Sequence, residues 1–205
     1  MNTQEIVLNL VADQEAAQKL NGWIFETIQP YLRGRVLEMN SGHGSISSIF
    51  AERNVPIHLS DPDTGNCHNL KNKFKNIQAI RAVHDIDFSH PDFQKAYFKD
   101  SNVFGTIIAL NITEYGFSEK QAIENAKYLL RSQGRIIIVA PSFTALYDGL
   151  VLSLKEWKSY NRKPLKQFLY GFKLIKTINF NLAGNIENSF SEKLGFPSLA
   201  IAKKK

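Results

Sequence analysis

A short run of small and polar residues follows the first apolar stretch of the chain, in the segment RVLEMNSGHGSIS. Gly42 and Gly44 have no Cβ, so the backbone here can turn tightly and approach a ligand closely. Asn40 precedes them, and asparagine is the residue other than glycine that best tolerates a left-handed backbone. Glu38 adds a carboxylate where the apolar stretch ends. A strand, such a loop and a helix start together predict a site for a nucleotide-like ligand.

Two kinds of ligand, and a purely structural role, remain open for this loop. Residues 42–47 match the dinucleotide pattern G-x-G-x-x-G/A only with serine in the third place. The carboxylate of Glu38 would also repel a pyrophosphate. A site for S-adenosylmethionine has no phosphate, and an acid at the end of the first strand helps there to hold the ligand's amino-acid end. The third alternative is a glycine turn without a ligand.

Polar residues also follow the next three apolar runs. Asp61 could accept hydrogen bonds from a ribose diol, or it could cap the following helix, with Pro62 near the helix start. Asp85 could accept a hydrogen bond from an adenine amine while Ile86 packs on the ring. Asn111 follows the fourth run. Because parallel strands end at one edge of a sheet, these side chains are expected to converge on one small polar ligand.

A metal site is the weaker interpretation of the segment after the third run. His84, Asp85, Asp87 and His90 are residue types that bind metals, but consecutive strand positions point to opposite faces. Cys67 is the only cysteine, so neither a disulfide nor a thiolate-rich zinc site can form within one chain. We therefore expect no metal, and a reducing, cytosolic setting.

A parallel sheet is needed to bring these residues together, and the chain contains its elements. β-Branched runs predict strands at Arg35–Met39, Pro56–Leu59, Ile77–Val83, Val103–Leu110 and Gly134–Ala140. Helices are predicted between them at Ser45–Arg53, Gly65–Phe74, Pro91–Phe98 and Glu119–Arg131. This alternation predicts an α/β fold, a doubly wound and mostly parallel sheet. Phe172–Phe180 and Pro197–Lys203 have no helix between them and are expected to pair antiparallel.

Length and composition indicate one globular domain, since 43% of the 205 residues are hydrophobic and no repeat or polar linker is visible. Its expected segments are a helical lead-in (1–33), a cofactor-binding core (34–140), a substrate-side insert and helix (141–171) and a C-terminal β-hairpin (172–205). The lead-in has Trp23, Ile24 and Ile28 on one face, which is expected to pack on the sheet. The chain has neither a signal peptide pattern nor the roughly 20 consecutive apolar residues that span a bilayer.

The net charge of +6 is distributed unevenly. Residues 1–140 contain 14 Lys and Arg against 15 Asp and Glu, whereas residues 141–205 contain 11 against 4. In the insert, Lys155 and Lys158 share a predicted helix face that is interleaved with Tyr160. This face could hold the phosphate of a small or lipid-linked molecule, contact a membrane surface, or simply be solvated. Nucleic acid is the weaker partner, because no recognition module is present.

The sequence resembles the class I S-adenosylmethionine-dependent methyltransferases over nearly its whole length. LEMNSGHG is similar to the family's LExGxGxG, LSDPD to its ribose-binding acid and VHDIDF to its adenine-binding segment; FGTIIALNITEYG and LLRSQGRIIIVAP are similar to FDxIxxxNVLEH and LLxPGGxLxxxVP. NGWIFETIQPYLRGRVLE, PSFTALYDGL and SYNRKPLKQFLYGFKLIK resemble an uncharacterised bacterial subgroup. The resemblance implies a seven-stranded, Rossmann-like sheet of order 3-2-1-4-5-7-6 with strand seven antiparallel.

The resemblance also implies which residues bind S-adenosylmethionine. The methionine end would contact the first loop, through Glu38, Ser41, Gly42 and Gly44, with Asn40 in the same loop. The ribose would contact Asp61 and Pro62, and the adenine would contact Asp85 and Ile86. Asn111 and Ile112 would lie at the sulfonium. Three residues depart from the family pattern. Asn40 replaces the first motif glycine, Gly105 a usual Asp and Tyr115 a usual His.

Methyl transfer from a sulfonium is an in-line displacement, so the protein mainly has to align the acceptor and exclude water. Tyr115 could hydrogen-bond the acceptor. From the insert, Asp148 could act as a base near the crevice, and Tyr147 beside it is expected to contact the substrate. We expect an S-adenosylmethionine-dependent methyltransferase acting on a small or lipid-linked acceptor, with or without a phosphate group. The alternatives are a non-catalytic binding module, suggested by Asn40 and Gly105, and an NAD-dependent oxidoreductase.

Overall fold

A computed structural model describes Gln18 and residues 21–110, 119–139, 169–179 and 197–205. Helix α1 covers residues 21–28. The further described helices are α2 (Ser45–Glu52), α3 (Thr64–Lys73), α4 (Phe93–Ala96) and α5 (Glu119–Leu129), with 3-10 turns at Gln29–Tyr31 and Phe98–Asp100. The strands are β1 (Val36–Met39), β2 (Ile57–Asp61), β3 (Ile80–Asp85), β4 (Phe104–Leu110), β5 (Leu130–Val139), β6 (Phe172–Asn179) and β7 (Pro197–Lys204).

These strands form one sheet in the order β3-β2-β1-β4-β5-β7-β6. Strands β1 to β5 pair parallel, and β7 lies antiparallel between β5 and β6. The predicted fold class, strand order and antiparallel seventh strand are therefore confirmed. After β3 the chain returns to the other side of β1 to form β4. This reversal between β1 and β4 is the position where open α/β sheets bind their ligands, beyond the carboxyl ends of the strands.

Apolar side chains cover both faces of the sheet. On one face, Leu37 and Ile107 pack in a core that includes Phe93 of α4 and Ile123 of α5. On the other face, α1, α2 and α3 bury their apolar side chains against the strands. Ile24 and Ile28 are among these buried residues, so the predicted packing of the lead-in on the sheet is confirmed for residues 21–28. None of the described helices is both long and apolar enough to cross a bilayer.

The start of β5 differs from the prediction. The strand begins at Leu130 rather than at Gly134, and its pairing with β4 shifts register between Phe104 and Thr106. Gln133 has a left-handed backbone, with φ 61°, which accounts for the irregularity. A Cβ on Gly134 would lie 2.8 Å from the carbonyl oxygen of Arg131, so this position requires glycine. The predicted helix Pro91–Phe98 also differs, since it divides into α4 and a 3-10 turn.

Gly105 allows the segment before β1 to lie directly against β4. Its N–H donates to the carbonyl oxygen of Arg35 at 2.8 Å. A Cβ here would overlap the carbonyl oxygen of Arg33 and lie 2.8 Å from the carbonyl carbon. Gly105 is the second residue of β4, at the amino end of the strand, so this departure from the family pattern has a packing cause at the opposite end from the candidate ligand edge.

Replacing Gly105 by alanine should destabilise the protein by about 1–3 kcal/mol, because the new methyl group displaces the backbone of residues 33–34. Gly22→Ala is the matched control, since Gly22 lies in a helix and no described residue comes within 4 Å of the position of its Cβ. That change should be neutral or stabilise by up to about 1 kcal/mol. Urea unfolding measures both variants. Equal stability of Gly105→Ala and the parent would contradict the close approach.

Candidate functional site

The parallel register brings the carboxyl ends of β1, β2 and β3 together at one edge. Glu38 pairs with Leu59, and Asp61 pairs with Asp85. Glu38 and Asp61 are each only 1% exposed, whereas Asp85 is exposed. Two buried carboxyls and one accessible carboxyl thus lie at neighbouring strand ends, beside the glycine loop that follows β1.

Asp61 connects three segments through its carboxylate. Oδ2 accepts a hydrogen bond from the N–H of Gly42 at 2.8 Å. Oδ1 accepts from the N–H of Asp63 at 3.0 Å and from Nδ2 of Asn66 at 3.1 Å. The N-cap of α3 is Asp63, whose Oδ1 accepts from the N–H of Asn66 at 2.8 Å. The alternative that Asp61 caps this helix is therefore wrong; its carboxylate instead fastens the glycine loop to the start of α3.

The glycine loop has a left-handed backbone at three positions. Asn40 has φ 54°, the conformation that asparagine tolerates, while Gly42 and Gly44 have φ 52° and 72°. A Cβ on Gly44 would lie 2.8 Å from the Phe74 ring and 2.9 Å from Leu70, so α3 packs directly on the loop. Around Gly42, in contrast, no atom of the described residues lies within 4 Å of the Cβ position. The described part of the chain therefore leaves the space above Gly42 open.

Asn40 carries a buried polar atom to which no described residue donates a hydrogen bond. This atom is its Oδ1. A buried carbonyl oxygen without a donor is energetically unfavourable. The position therefore suits a ligand that supplies a hydrogen-bond donor, such as an ammonium or hydroxyl group.

Lys73, in the last turn of α3, connects that helix to the same loop. Its Nζ donates to the carbonyl oxygens of His43 at 2.8 Å and Gly44 at 3.3 Å. Burial lowers the pKa of Lys73, and the nearby carboxyl of Glu38 opposes this shift. Sequence reasoning missed this lysine. The sequence feature that could have indicated Lys73 is its position next to Leu70 and Phe74, the two apolar residues at the end of α3 that contact the loop.

Glu38 lies beneath the loop and changes protonation near neutral pH. Burial raises its pKa to about 7, and Asp61 contributes to the rise. Hydrogen bonds from Ser47 and Ser41 and the charge of Lys73 act in the opposite direction. The carboxyl is therefore sensitive to any cation that binds at this edge.

The other predicted cofactor residues occupy different environments around this edge. Ser41 is buried, and its N–H donates to the carbonyl oxygen of Ser60 at 2.8 Å. Pro62 is half-buried directly after β2. Ile86 is 2% exposed, and its side chain belongs to the apolar core on one face of the sheet. Its N–H donates to the carbonyl oxygen of Asp61 at 3.3 Å, so its backbone borders the strand ends.

Eight candidate residues lie outside the described residues and stay predictions: Asn111, Ile112, Tyr115, Tyr147, Asp148, Lys155, Lys158 and Tyr160. Within the described ranges, no three His, Cys, Asp or Glu side chains converge as a metal site would require. His84 and His90, the two histidines considered for a metal site, each have one ring nitrogen in contact with another protein group. Nε2 of His84 lies 2.9 Å from Nδ1 of His58, and Nδ1 of His90 accepts from the N–H of Asp92.

Comparison with known proteins shows a likeness to solved structures. No family model and no curated protein matches the chain. The CurJ carbon methyltransferase matches with a TM-score of 0.59 at 16% identity, over 91% of this chain and 53% of that one. An S-adenosylmethionine-dependent methyltransferase from Methanosarcina mazei matches with a TM-score of 0.57 at 16% identity, over 87% and 96% of the two chains. The chain has the fold of S-adenosylmethionine-dependent methyltransferases.

A third match is the N-methyltransferase NodS from Bradyrhizobium japonicum, with a TM-score of 0.56 at 12% identity, over 93% of this chain and 97% of that one. The chain spans about half the length of the CurJ enzyme and nearly all of NodS. At these identities the likeness is one of fold.

Glu38→Gln should change how stability depends on pH. The pKa of Glu38 rises from 4.5 to about 7 on folding, so the folded protein binds more protons than the unfolded chain between these values. The free energy of unfolding of the parent should therefore fall as pH rises through this window, by up to about 3 kcal/mol. In Glu38→Gln this component should be absent.

Urea unfolding at pH 5, 6, 7 and 8 measures the effect, with the exposed Glu52→Gln as the matched control. The control should keep the pH dependence of the parent. Parallel pH profiles of the parent and Glu38→Gln would contradict the buried, half-protonated carboxyl.

Proposed function

We propose that this protein is an S-adenosylmethionine-dependent methyltransferase. In this proposal the loop residues Glu38, Asn40, Ser41, Gly42 and Gly44 surround the methionine end of the cofactor. Asp61 and Pro62 border the ribose, Asp85 and Ile86 the adenine, and Asn111 and Ile112 the sulfonium. When bound, the cofactor supplies a methyl group on a positively charged sulfur. The observation that carries the proposal is the hydrogen bond from the Gly42 N–H to the buried Asp61 carboxylate, 2.8 Å long.

This hydrogen bond favours S-adenosylmethionine over a dinucleotide. In a dinucleotide site the N–H groups of the loop and helix start face a pyrophosphate. Here the Gly42 N–H faces Asp61, and Glu38 lies buried under the loop, so a pyrophosphate would meet two carboxyls. A ligand with an ammonium and a hydroxylated sugar would instead meet acceptors. The NAD-dependent oxidoreductase is therefore the less favoured alternative.

Among the described residues, none donates to Oδ1 of Asn40 and none fills the space above Gly42, and both observations support the same ligand. This oxygen and this space lie at the loop where the amino-acid end of the cofactor is proposed to bind. A methionine ammonium could supply the missing donor to Oδ1 and lower the pKa of Glu38 by its charge.

A non-catalytic module of the same fold is the second candidate, and it rests on Asn40 and Gly105. Both departures have a local cause that leaves the loop intact. Asn40 has the left-handed backbone that its motif position needs, and Gly105 accommodates the backbone of Arg33. These observations favour an active enzyme over a module that binds without turnover.

The acceptor is proposed to be a small or lipid-linked molecule, with or without a phosphate group. The excess of basic residues in 141–205 supports this class. One structure of the same fold, a geranyl diphosphate C-methyltransferase from Streptomyces coelicolor, contains Mg2+, a geranyl-S-thiolodiphosphate and S-adenosyl-L-homocysteine, at 11% identity and a TM-score of 0.55 over 90% of this chain and 76% of that one.

We place Tyr115 and Asp148 at the reacting end of the acceptor, as hydrogen-bond partner and base. Tyr147, Lys155, Lys158 and Tyr160 would contact the remainder of that molecule. A cytosolic location in a bacterium completes the proposal, supported by the single cysteine, Cys67, which is a buried free thiol.

Isothermal titration with S-adenosylmethionine, S-adenosylhomocysteine and NADH tests the cofactor. Binding of the first two at micromolar concentration, without NADH binding, is expected. No binding at millimolar S-adenosylmethionine would overturn the proposal. Incubating cell extract with labelled cofactor, followed by mass spectrometry of the products, then identifies the acceptor. Cofactor binding without any labelled product would favour the non-catalytic module.

Asp61→Asn should weaken the affinity for S-adenosylmethionine by about 1.5–3 kcal/mol, since it removes a charged acceptor for the ribose and leaves one acceptor oxygen for the donors that Asp61 now satisfies with two. Asp63→Ser is the matched control, because it also removes a carboxylate from the same turn but keeps an N-cap for α3. The control should bind with nearly the affinity of the parent. Calorimetry measures both variants after circular dichroism has verified their folding. Equal affinities for the parent and Asp61→Asn would remove Asp61 from the site.

The affinity for S-adenosylmethionine should rise with pH up to about 7 and then level off, because the positively charged ligand favours the ionised form of Glu38. Its slope should approach tenfold per pH unit at most. Titrations in two buffers of different ionisation enthalpy should detect proton release below pH 7. In Glu38→Gln both the slope and the released proton should disappear; a slope retained in this variant would exclude Glu38 as its source.

A further inference from the structure

Arginines gather at the edge of the sheet opposite the proposed cofactor site. The chain has seven arginines, and five of them lie near the amino ends of strands: Arg33, Arg35, Arg81, Arg131 and Arg135. The first two precede β1, Arg81 is the second residue of β3, and the last two lie within the first six residues of β5. The proposed methyltransferase function does not use this edge.

A surface cavity of about 390 Å³ opens at this edge. It is lined by Gly34, Arg35, Val36, Pro56, His58 and Arg81. The volume lies within the range of sites that bind small molecules. Strands β1, β2 and β3 thus bring two guanidinium groups and one imidazole to the same cavity.

The two arginines of the cavity differ from their neighbours in their contacts. Arg33 donates to the carbonyl oxygen of Leu32 at 2.6 Å, and Arg135 donates to that of Tyr31 at 2.9 Å. Arg35 and Arg81 make no ion pair and no side-chain hydrogen bond with any described residue. Their donors are therefore available to a ligand, so far as the described part of the chain is concerned.

His58 is held in position by a second histidine. Its Nδ1 lies 2.9 Å from Nε2 of His84 on the neighbouring strand, and the two rings stack with centroids 5.2 Å apart. When Nε2–H of His84 donates to Nδ1 of His58, the neutral His58 ring carries its own proton on Nε2. That N–H is then the remaining donor of the ring.

The charges that act on this histidine pair are mostly positive. The pKa of His58 is lowered to about 4, mainly by burial and in addition by the charges of His84, Arg35 and Arg81. Burial also lowers the pKa of His84; Lys71 acts in the same direction, and Asp100 opposes it. No carboxylate among the described residues offsets the charge at His58 itself.

We infer that this cavity binds the phosphate group of a small ligand, either inorganic phosphate or a phosphate monoester. Guanidinium groups match phosphate oxygens in geometry and charge, and the His58 N–H adds a third donor. A bound anion would also offset the positive charge that Arg35 and Arg81 place near His58.

Imidazole NMR titrations with inorganic phosphate, against sodium chloride of equal ionic strength, test the inference. A bound phosphate favours the imidazolium, so the pKa of His58 should rise from about 4 by about one unit or more in phosphate alone. His68 is the internal control, because it is exposed on α3. Equal responses of His58 to phosphate and to chloride would overturn the site.

Variants and a second probe identify the contacts. Arg81→Gln and Arg35→Gln, both at exposed positions, should each weaken phosphate binding at pH 7 at least about tenfold, measured by calorimetry. Arg53→Gln removes a surface arginine of the same charge, which pairs with Glu26, and should have no effect. Unchanged phosphate affinity in both cavity variants would overturn the proposal. Tighter binding of glycerol phosphate would identify a monoester site, and equal or weaker binding a site for the free ion.

The same variants should keep the parent's affinity for S-adenosylmethionine, because the cavity lies at the opposite edge from the glycine loop. Phosphate binding is therefore testable even if the proposed cofactor fails to bind. A loss of phosphate binding in Asp61→Asn, with both arginines intact, would contradict the separation of the two sites.

Discussion

The buried carboxylate of Asp61 is the constraint on which the candidate site depends. A carboxylate removed from water is strongly unfavourable unless donors surround it. The donors come from three segments, namely Gly42 in the glycine loop, Asp63 after β2 and Asn66 in the first turn of α3. Satisfying this one group therefore fixes how the loop, the strand end and the helix lie relative to one another through protein contacts.

Lys73 adds a second connection between the same loop and the far end of α3. The glycine loop is thus held by its hydrogen bond to Asp61 and by the Lys73 ammonium, which donates to the carbonyl oxygens of His43 and Gly44. Such a loop is preorganised, because its geometry is set by protein contacts. A helix packed against Gly44 through Leu70 and Phe74 completes this support.

Much of the fold could be predicted because buried parallel strands are continuous apolar runs that are visible in the sequence. The strand order came from the family resemblance. The start of β5 could not be predicted, since it depends on a left-handed Gln133 in a segment that otherwise looks helical. Asp61, Asp85 and the loop were predicted as neighbours because strand ends share an edge. The hydrogen-bond partners of Asp61 were not predicted, because the position of Asn66 depends on how α3 packs on the sheet.

The distribution of charge over the surface also could not be predicted from the number of charged residues along the chain. Residues 1–140 are nearly neutral in sum, yet the parallel sheet separates their charges, with Glu38, Asp61 and Asp85 at one edge and the arginines at the other. A count along the chain does not show this separation, because Arg35 and Glu38 are only three positions apart, about 10 Å along a strand. Because the strands run parallel, residues at their amino ends and residues at their carboxyl ends lie at two opposite edges of the sheet, and these edges have opposite charge.

The placement of β7 has a consequence for the order in which the sheet is completed. Among the described strands, β6 pairs with β7 alone, and β7 follows it in the sequence. During synthesis, β6 therefore emerges before β7, the strand that joins it to β5. Until β7 has been made, β5 and β6 each expose unpaired backbone groups. Such edges promote intermolecular pairing, which lysines oppose. Lys173 and Lys176 are exposed on β6, so the strand carries its own protection against aggregation during that interval.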